Sequence, residues 1–296
     1  MSPYHRDIPA PSDRLTLDDG RTLVWDEHGD VTGPAVIYMH GTPGCRLLWS
    51  GIPRMAKDAG VRLIMPDRPG CGASSFQPGR RITDWPRDVA ALADHLELSR
   101  YWVLGASGGG PYALACASDG DPRLVRAAVT SGVGPLDTPE ALNQLTDTNR
   151  PIFVAAASGV DAALPIAQAL TAGDNSSEGS IAAMMATLPA ADKAILHENP
   201  DMLAELVDMR AVVVSGPEGL AHDLWLTTQP WGFDLTGISL PVDFYAGDHD
   251  RNVPVQMVAE QADLVPRSTF TVWPAAGHLA ELVRLGEVLT HLTATE

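Results

Sequence analysis

The sequence predicts an α/β fold, a mostly parallel, doubly wound sheet interrupted by one all-helical insertion. Three observations carry this. Short apolar, β-branched runs alternate with helical stretches over the first third of the chain. Strand signals then vanish over residues 137–230, and they return at 242–247 and 269–273. Strands that alternate with helices pair in parallel through crossovers, so helices cover both faces of the sheet.

The elements follow in order. Residues 21–26 (RTLVWD) and 35–39 (AVIYM) read as strands, the second running into His40-Gly41-Thr42-Pro43-Gly44. Residues 61–65 (VRLIM) form another, ended by Pro66-Asp67-Arg68-Pro69-Gly70. Residues 84–97 place apolar positions at helical spacing, with Asp84 as the expected N-cap and Pro86 in the first turn. YWVLG (101–105) is the next strand, followed by a Gly-rich turn, the Ala-rich helix PYALACAS and a buried-looking strand at 125–131. The insertion holds the amphipathic stretches TPEALNQL, DAALPIAQAL and NPDMLAELVDM. Residues 1–136 and 231–296 are therefore expected to form the core, and 137–230 a helical lid over the sheet's C-terminal edge. Helices at 253–264 and 279–293 are expected to cover the last strands.

Composition narrows the function. With 296 residues and 45% apolar content the chain can bury one large core. A formal net charge of −17 counts against nucleic acid, because neutralising phosphates needs clustered Lys and Arg. No stretch approaches the roughly 20 apolar residues a membrane helix requires, and the polar, Pro-rich N-terminus has no apolar h-region. No membrane partner is expected. Cys45, Cys71 and Cys116 are scattered, which suits reduced thiols in the cytoplasm. No short Cys/His spacing suggests a metal, and no cofactor is expected. The expected partner is a small-molecule substrate, with a homodimer left open.

Chemistry concentrates in the loops. Gly105-Ala106-Ser107-Gly108-Gly109 fits G-x-S-x-G, a sharp strand-to-helix turn that exposes the serine hydroxyl. A neutral hydroxyl is a weak nucleophile and needs a base. His278, in AAGH just after the final strand, returns to the same sheet edge as Ser107. An acid must orient that base. Asp250 in Gly247-Asp248-His249-Asp250 is the preferred choice, with Asp248 in the same loop and Asp137 after the 125–131 strand as alternatives. His249 reads as an exposed loop residue. An oxyanion needs two converging backbone donors, and Gly108 and Thr42 are placed to supply them, since Pro43 has no N–H. His40 is expected to fix that loop by hydrogen bonds.

Read together, HGTPG, PDRPGCGAS, GASGGG, and GDHD followed by AAGH resemble the α/β-hydrolase superfamily over nearly the whole chain apart from the insertion. Within it, the set is similar to esterases, proline-iminopeptidase-like peptidases and C–C bond hydrolases. The resemblance implies a Ser107–Asp250–His278 triad, with Thr42 and Gly108 as oxyanion donors. It implies a serine hydrolase that cleaves a small, partly apolar carboxylic ester, lactone or amide. Acyl transfer, cyclisation, C–C cleavage and ligand sensing on the same fold are its alternatives. Serine at the nucleophile position is unlike the aspartate of epoxide hydrolases and haloalkane dehalogenases. Gly108 replaces the Met or Trp that follows the serine in perhydrolases and iminopeptidases, and is expected to leave that pocket wall open. Met184, Met185, Trp225 and Trp231 are expected to line the substrate site, with Phe153, Met202, Met209 and Phe233 beside them. Glu178, Asp192 and Glu205 read as a solvated acidic face. Cys116 reads as a core residue, and Cys71 is expected near the pocket.

Overall fold

The computed structural model describes residues 8–47, 49–146, 149–172 and 178–294. Eight strands form one sheet: β1 (Asp13–Thr16), β2 (Thr22–Gly29), β3 (Ala35–Met39), β4 (Arg62–Pro66), β5 (Tyr101–Ala106), β6 (Leu124–Thr130), β7 (Val242–Gly247) and β8 (Ser268–Trp273). Their spatial order is β1-β2-β4-β3-β5-β6-β7-β8. From β4 to β8 all pairings are parallel, whereas β2 runs antiparallel to both β1 and β4. Strand β1 escaped the sequence reading because DRLT is short, polar and mostly exposed at the sheet edge.

Strand side chains alternate between two cores. Ile37, Met39, Ile64 and Val103 face one side, under the helices at Trp85–His95, Gly110–Asp119 and Val255–Leu264. Val36, Tyr38, Leu63, Met65 and Leu104 face the other, under Ile52–Asp58 and Leu285–Thr293. The period of two along each strand produces this division, and covered faces on both sides explain why the strands read as unbroken apolar runs.

Between β6 and β7 the described chain is helical, with its helices running from Pro139–Gln144 to Glu218–Thr227. It has a small core of its own around Ala156, Ala163, Ala167, Leu220 and Leu224. Leu196 and Met202 instead join the second sheet core, so the insertion is packed onto the sheet. Asp84 stands at the N-cap position of the helix at Trp85–His95, as expected, but its side chain bonds no N–H of that helix; it ends a 3-10 turn, and its carboxylate accepts the N–H of Arg81 at 2.8 Å. Among the described residues, no helix is long and apolar enough to cross a membrane.

Candidate active site

The C-terminal ends of the parallel strands meet on one edge, where ligands of open α/β sheets bind. Ser107 follows β5 directly and adopts φ 50°, a left-handed conformation uncommon for a residue with a side chain. The turn is tight: a Cβ at Gly105 would lie 2.5 Å from the Gly109 carbonyl. The helix at Gly110–Asp119 begins immediately after it.

His278 comes from the loop after β8, and its Nε2 lies 3.2 Å from Ser107 Oγ. Its Nδ1 lies 2.8 Å from Asp250 Oδ2, so that nitrogen carries the proton and donates to the carboxylate. The other oxygen, Asp250 Oδ1, accepts the N–H groups of Asn252 (2.8 Å) and Val253 (2.9 Å). Both ends of the carboxylate are thus fixed. Asp248, His249 and Asp137 are exposed, whereas Asp250 is buried.

Burial opposes charge on the His278 ring, but the carboxylates of Asp250, Glu281 and Asp192 outweigh it and raise its pKa. Glu281 is a buried acid one helical turn beyond His278, with Thr130 Oγ1 3.4 Å from its Oε2. Burial pushes its own pKa up, and Asp250 and Asp192 add to this against the pull of His278. Asp192, in the insertion helix Ala190–Glu198, is buried as well, contrary to the solvated face expected of it. Glu178 is exposed.

The HGTPG loop after β3 lies against the elbow. A Cβ at Gly108 would stand 2.5 Å from Thr42 Oγ1 and 3.0 Å from Thr42 N. This corrects the open wall expected at Gly108: the Thr42 side chain occupies that space. His40 accepts the Arg68 N–H on Nε2 (3.2 Å) and donates from Nδ1 to the Gly41 carbonyl (2.9 Å). Burial and the nearby Arg68 charge keep it neutral. The Arg68 guanidinium also holds the loop, donating to the carbonyls of His40 and Gly41 and to Thr42 Oγ1.

Sequence reasoning missed the anchor of this arrangement. Asp223, on the insertion helix Glu218–Thr227, is buried between Arg68 and Arg80 and accepts the Tyr112 hydroxyl at 2.8 Å. Burial opposes its ionisation, but the two guanidinium groups hold it far below the usual carboxylate range. Cys71 lies 3.6 Å from Asp223, inside this network and away from the cavity lining. Cys116 is in the first sheet core.

A cavity of about 210 Å³ opens over Ser107 and His278. Thr42, Pro43 and Gly108 form one wall, and Leu145, Asn149, Ile152, Phe153, Leu170, Leu224 and Thr227 of the insertion cover it. Met184, Met185, Trp225 and Trp231 are not part of this lining, contrary to expectation. Trp231 stacks on Phe233 in the first sheet core, and Trp225 meets His222 edge-on. Met185 packs on the second sheet core, and Met184 is half-buried on the same helix. Met202 is a core residue too, whereas Phe153 does reach the cavity. The side chains of Met209 and Glu205 lie outside the described residues.

A serine on a strand-to-helix elbow, bonded to a histidine and acid from later strand ends, defines a class. Residues 34–284 match the α/β hydrolase fold family, and the chain belongs to it. It is similar to a proline iminopeptidase of Arabidopsis thaliana, 30% identical over 128 residues that make up 42% of this chain and 33% of that protein. The matched stretch spans 33–43% of the length of the curated iminopeptidases it matches. Among solved structures, an esterase from Thermogutta terrifontis superposes with a TM-score of 0.69 at 24% identity, covering 95% of this chain and 96% of its own. The enol-lactonase of Burkholderia xenovorans LB400 superposes with a TM-score of 0.68 at 20% identity, covering 94% and 97%.

Proposed function

We propose that the protein is a serine hydrolase that cleaves a small, neutral, partly apolar carboxylic ester or lactone through an acyl-enzyme on Ser107. One observation carries this reading: the hydrogen-bonded series Ser107–His278–Asp250 opens into a cavity whose described lining is apolar apart from hydroxyl, amide and imidazole groups. The Ser107 oxygen attacks the substrate carbonyl while His278 Nε2 takes its proton. Asp250 holds the ring in the tautomer with Nδ1–H and stabilises the imidazolium that forms. The N–H groups of Thr42 and Gly108 receive the oxyanion. His278 then returns the proton to the leaving alkoxide, and water releases the acyl group by the same steps.

The insertion acts in this reading as a lid that shapes the acyl pocket through Leu145, Ile152, Phe153, Leu170 and Leu224. Cys45, Cys71 and Cys116 are buried thiols outside any disulfide, which suits a cytoplasmic setting. An ester or lactone is favoured over a peptide with a free amine, because an ammonium group would lose its hydration among these apolar side chains. The test is a substrate panel of aryl esters of graded acyl length, lactones and aminoacyl arylamides. Short-chain esters or lactones should turn over fastest. Turnover confined to the aminoacyl arylamides would contradict the assignment.

A further inference from the structure

Asp192 belongs to the insertion, yet its side chain reaches the loop that carries the base. The residue is 1% exposed. Its Oδ1 accepts the N–H of Leu279 at 2.9 Å, and its Oδ2 accepts the N–H of His278 at 3.2 Å. These donors precede the short helix Ala280–Val283, where backbone N–H groups lack carbonyl partners from the helix itself. The fit leaves no room at the neighbouring position: a Cβ on Gly277 would stand 2.3 Å from Asp192 Oδ1. A side chain at the glycine of the AAGH motif would therefore have to displace a carboxylate that arrives from the insertion.

We propose that Asp192 is a positioning residue that seats the His278 loop, so that the triad is competent only while the insertion is docked. The proposal rests on the acyl-enzyme reading of Ser107 and His278. Asp192 touches neither Ser107 nor the His278 ring nitrogens through a hydrogen bond; it acts through the backbone. Two bonds to successive N–H groups fix where the His278 Cα stands, and with it the 3.2 Å approach of Nε2 to Ser107 Oγ. The charge has a second effect, because a carboxylate beside the ring favours the imidazolium formed during attack. The ring also faces Asp250 from the loop after β7, Glu281 from its own segment and Ser107 from the elbow. Of these charged groups, Asp192 comes from the insertion.

The test uses the full chain and two variants, with two readouts. Asp192→Asn keeps the shape but removes the charge and one of the two acceptor oxygens. Gly277→Ala breaks the same contact from the other side. The His278 ring is titrated by NMR, its signal identified by loss in His278→Gln, and kcat and KM are measured on the preferred ester. In Asp192→Asn the ring pKa should fall by about half a unit or more. The kcat should drop about tenfold or more with KM little changed, and Gly277→Ala should reproduce that kcat–KM split. Folded variants with the wild-type ring titration and wild-type kcat would overturn the proposal. So would a lower kcat accompanied by an unmoved ring titration in Asp192→Asn. The titration needs no turnover: a wild-type protein that forms no acyl-enzyme contradicts the catalytic reading, while the ring shift still decides the role of Asp192.

Discussion

Arg68 Nη2 lies 2.8 Å from Asp223 Oδ2, with both side chains fully withdrawn from solvent. The same guanidinium group reaches the Gly41 carbonyl and Thr42 Oγ1, so this ion pair joins the insertion to the loop proposed to bind the oxyanion. Asp223→Ala would leave Arg68 and Arg80 buried without their counter-charge. Losing one partner of such a pair costs about 3–5 kcal/mol. Denaturant unfolding should show a loss of that order, with reduced kcat in the protein that remains folded. A loss below about 1 kcal/mol, the scale of an exposed pair, would contradict a structural role for the network.

Asp250→Asn tests the orientation of the base. An amide can turn its NH2 toward His278, which forces the ring into the wrong tautomer with Nε2 protonated. By the logic of the serine-protease triad, kcat should fall roughly 10⁴-fold with a smaller effect on KM. Steady-state kinetics on an aryl ester would measure this. A fall of less than tenfold would return the acid's role to another carboxylate, with Glu281 and Asp192 both buried beside His278.

The pH profile follows from the raised pKa of His278. Catalysis needs the neutral imidazole, and a raised pKa keeps the ring protonated to higher pH. The kcat/KM of the free enzyme should therefore rise with pH along a limb centred above the ordinary imidazole value of 6.5. The stability term has the opposite sense: the imidazolium–carboxylate pairing is fully present below that value and is lost as pH rises through the folded pKa. Asp250→Asn should move the limb to lower pH. A wild-type limb at or below 6.5 would contradict the electrostatic account.

Ile152 lines the cavity from the insertion. Ile152→Ala should lengthen the acyl chain the site accepts. Each methylene accommodated in an apolar pocket is worth about 1–3 kcal/mol, so the ratio of kcat/KM for a longer over a shorter acyl ester should rise about tenfold. An unchanged chain-length profile would place the acyl group elsewhere.

The side chains proposed to be catalytic were more legible than the pocket because each is tied to a local rule. The Ser107 turn needs small neighbours, and His278 and Asp250 follow strands whose apolar runs are plain in the sequence. Burial separates Asp250 from Asp248 and Asp137, a distinction that spacing alone does not make. Asp192 and Asp223 left no such signal. Asp192 caps two backbone N–H groups more than 80 residues away, and Asp223 pairs with arginines from two distant loops. The helix Glu178–Thr187 is rich in Ala and Met on several sides, so no stripe shows that Met185 packs on the sheet core and that the helix stays out of the cavity lining. That is why Met184 and Met185 were expected there while Leu145 and Ile152 were not.

The central claim is that Ser107 is the activated nucleophile. Intact-mass spectrometry after brief exposure to a fluorophosphonate, followed by peptide mapping, tests it most directly. The account predicts one adduct per chain on Ser107, none in Ser107→Ala, and much slower labelling in His278→Ala. A folded wild-type protein that stays unlabelled, or a label on another residue, would contradict it.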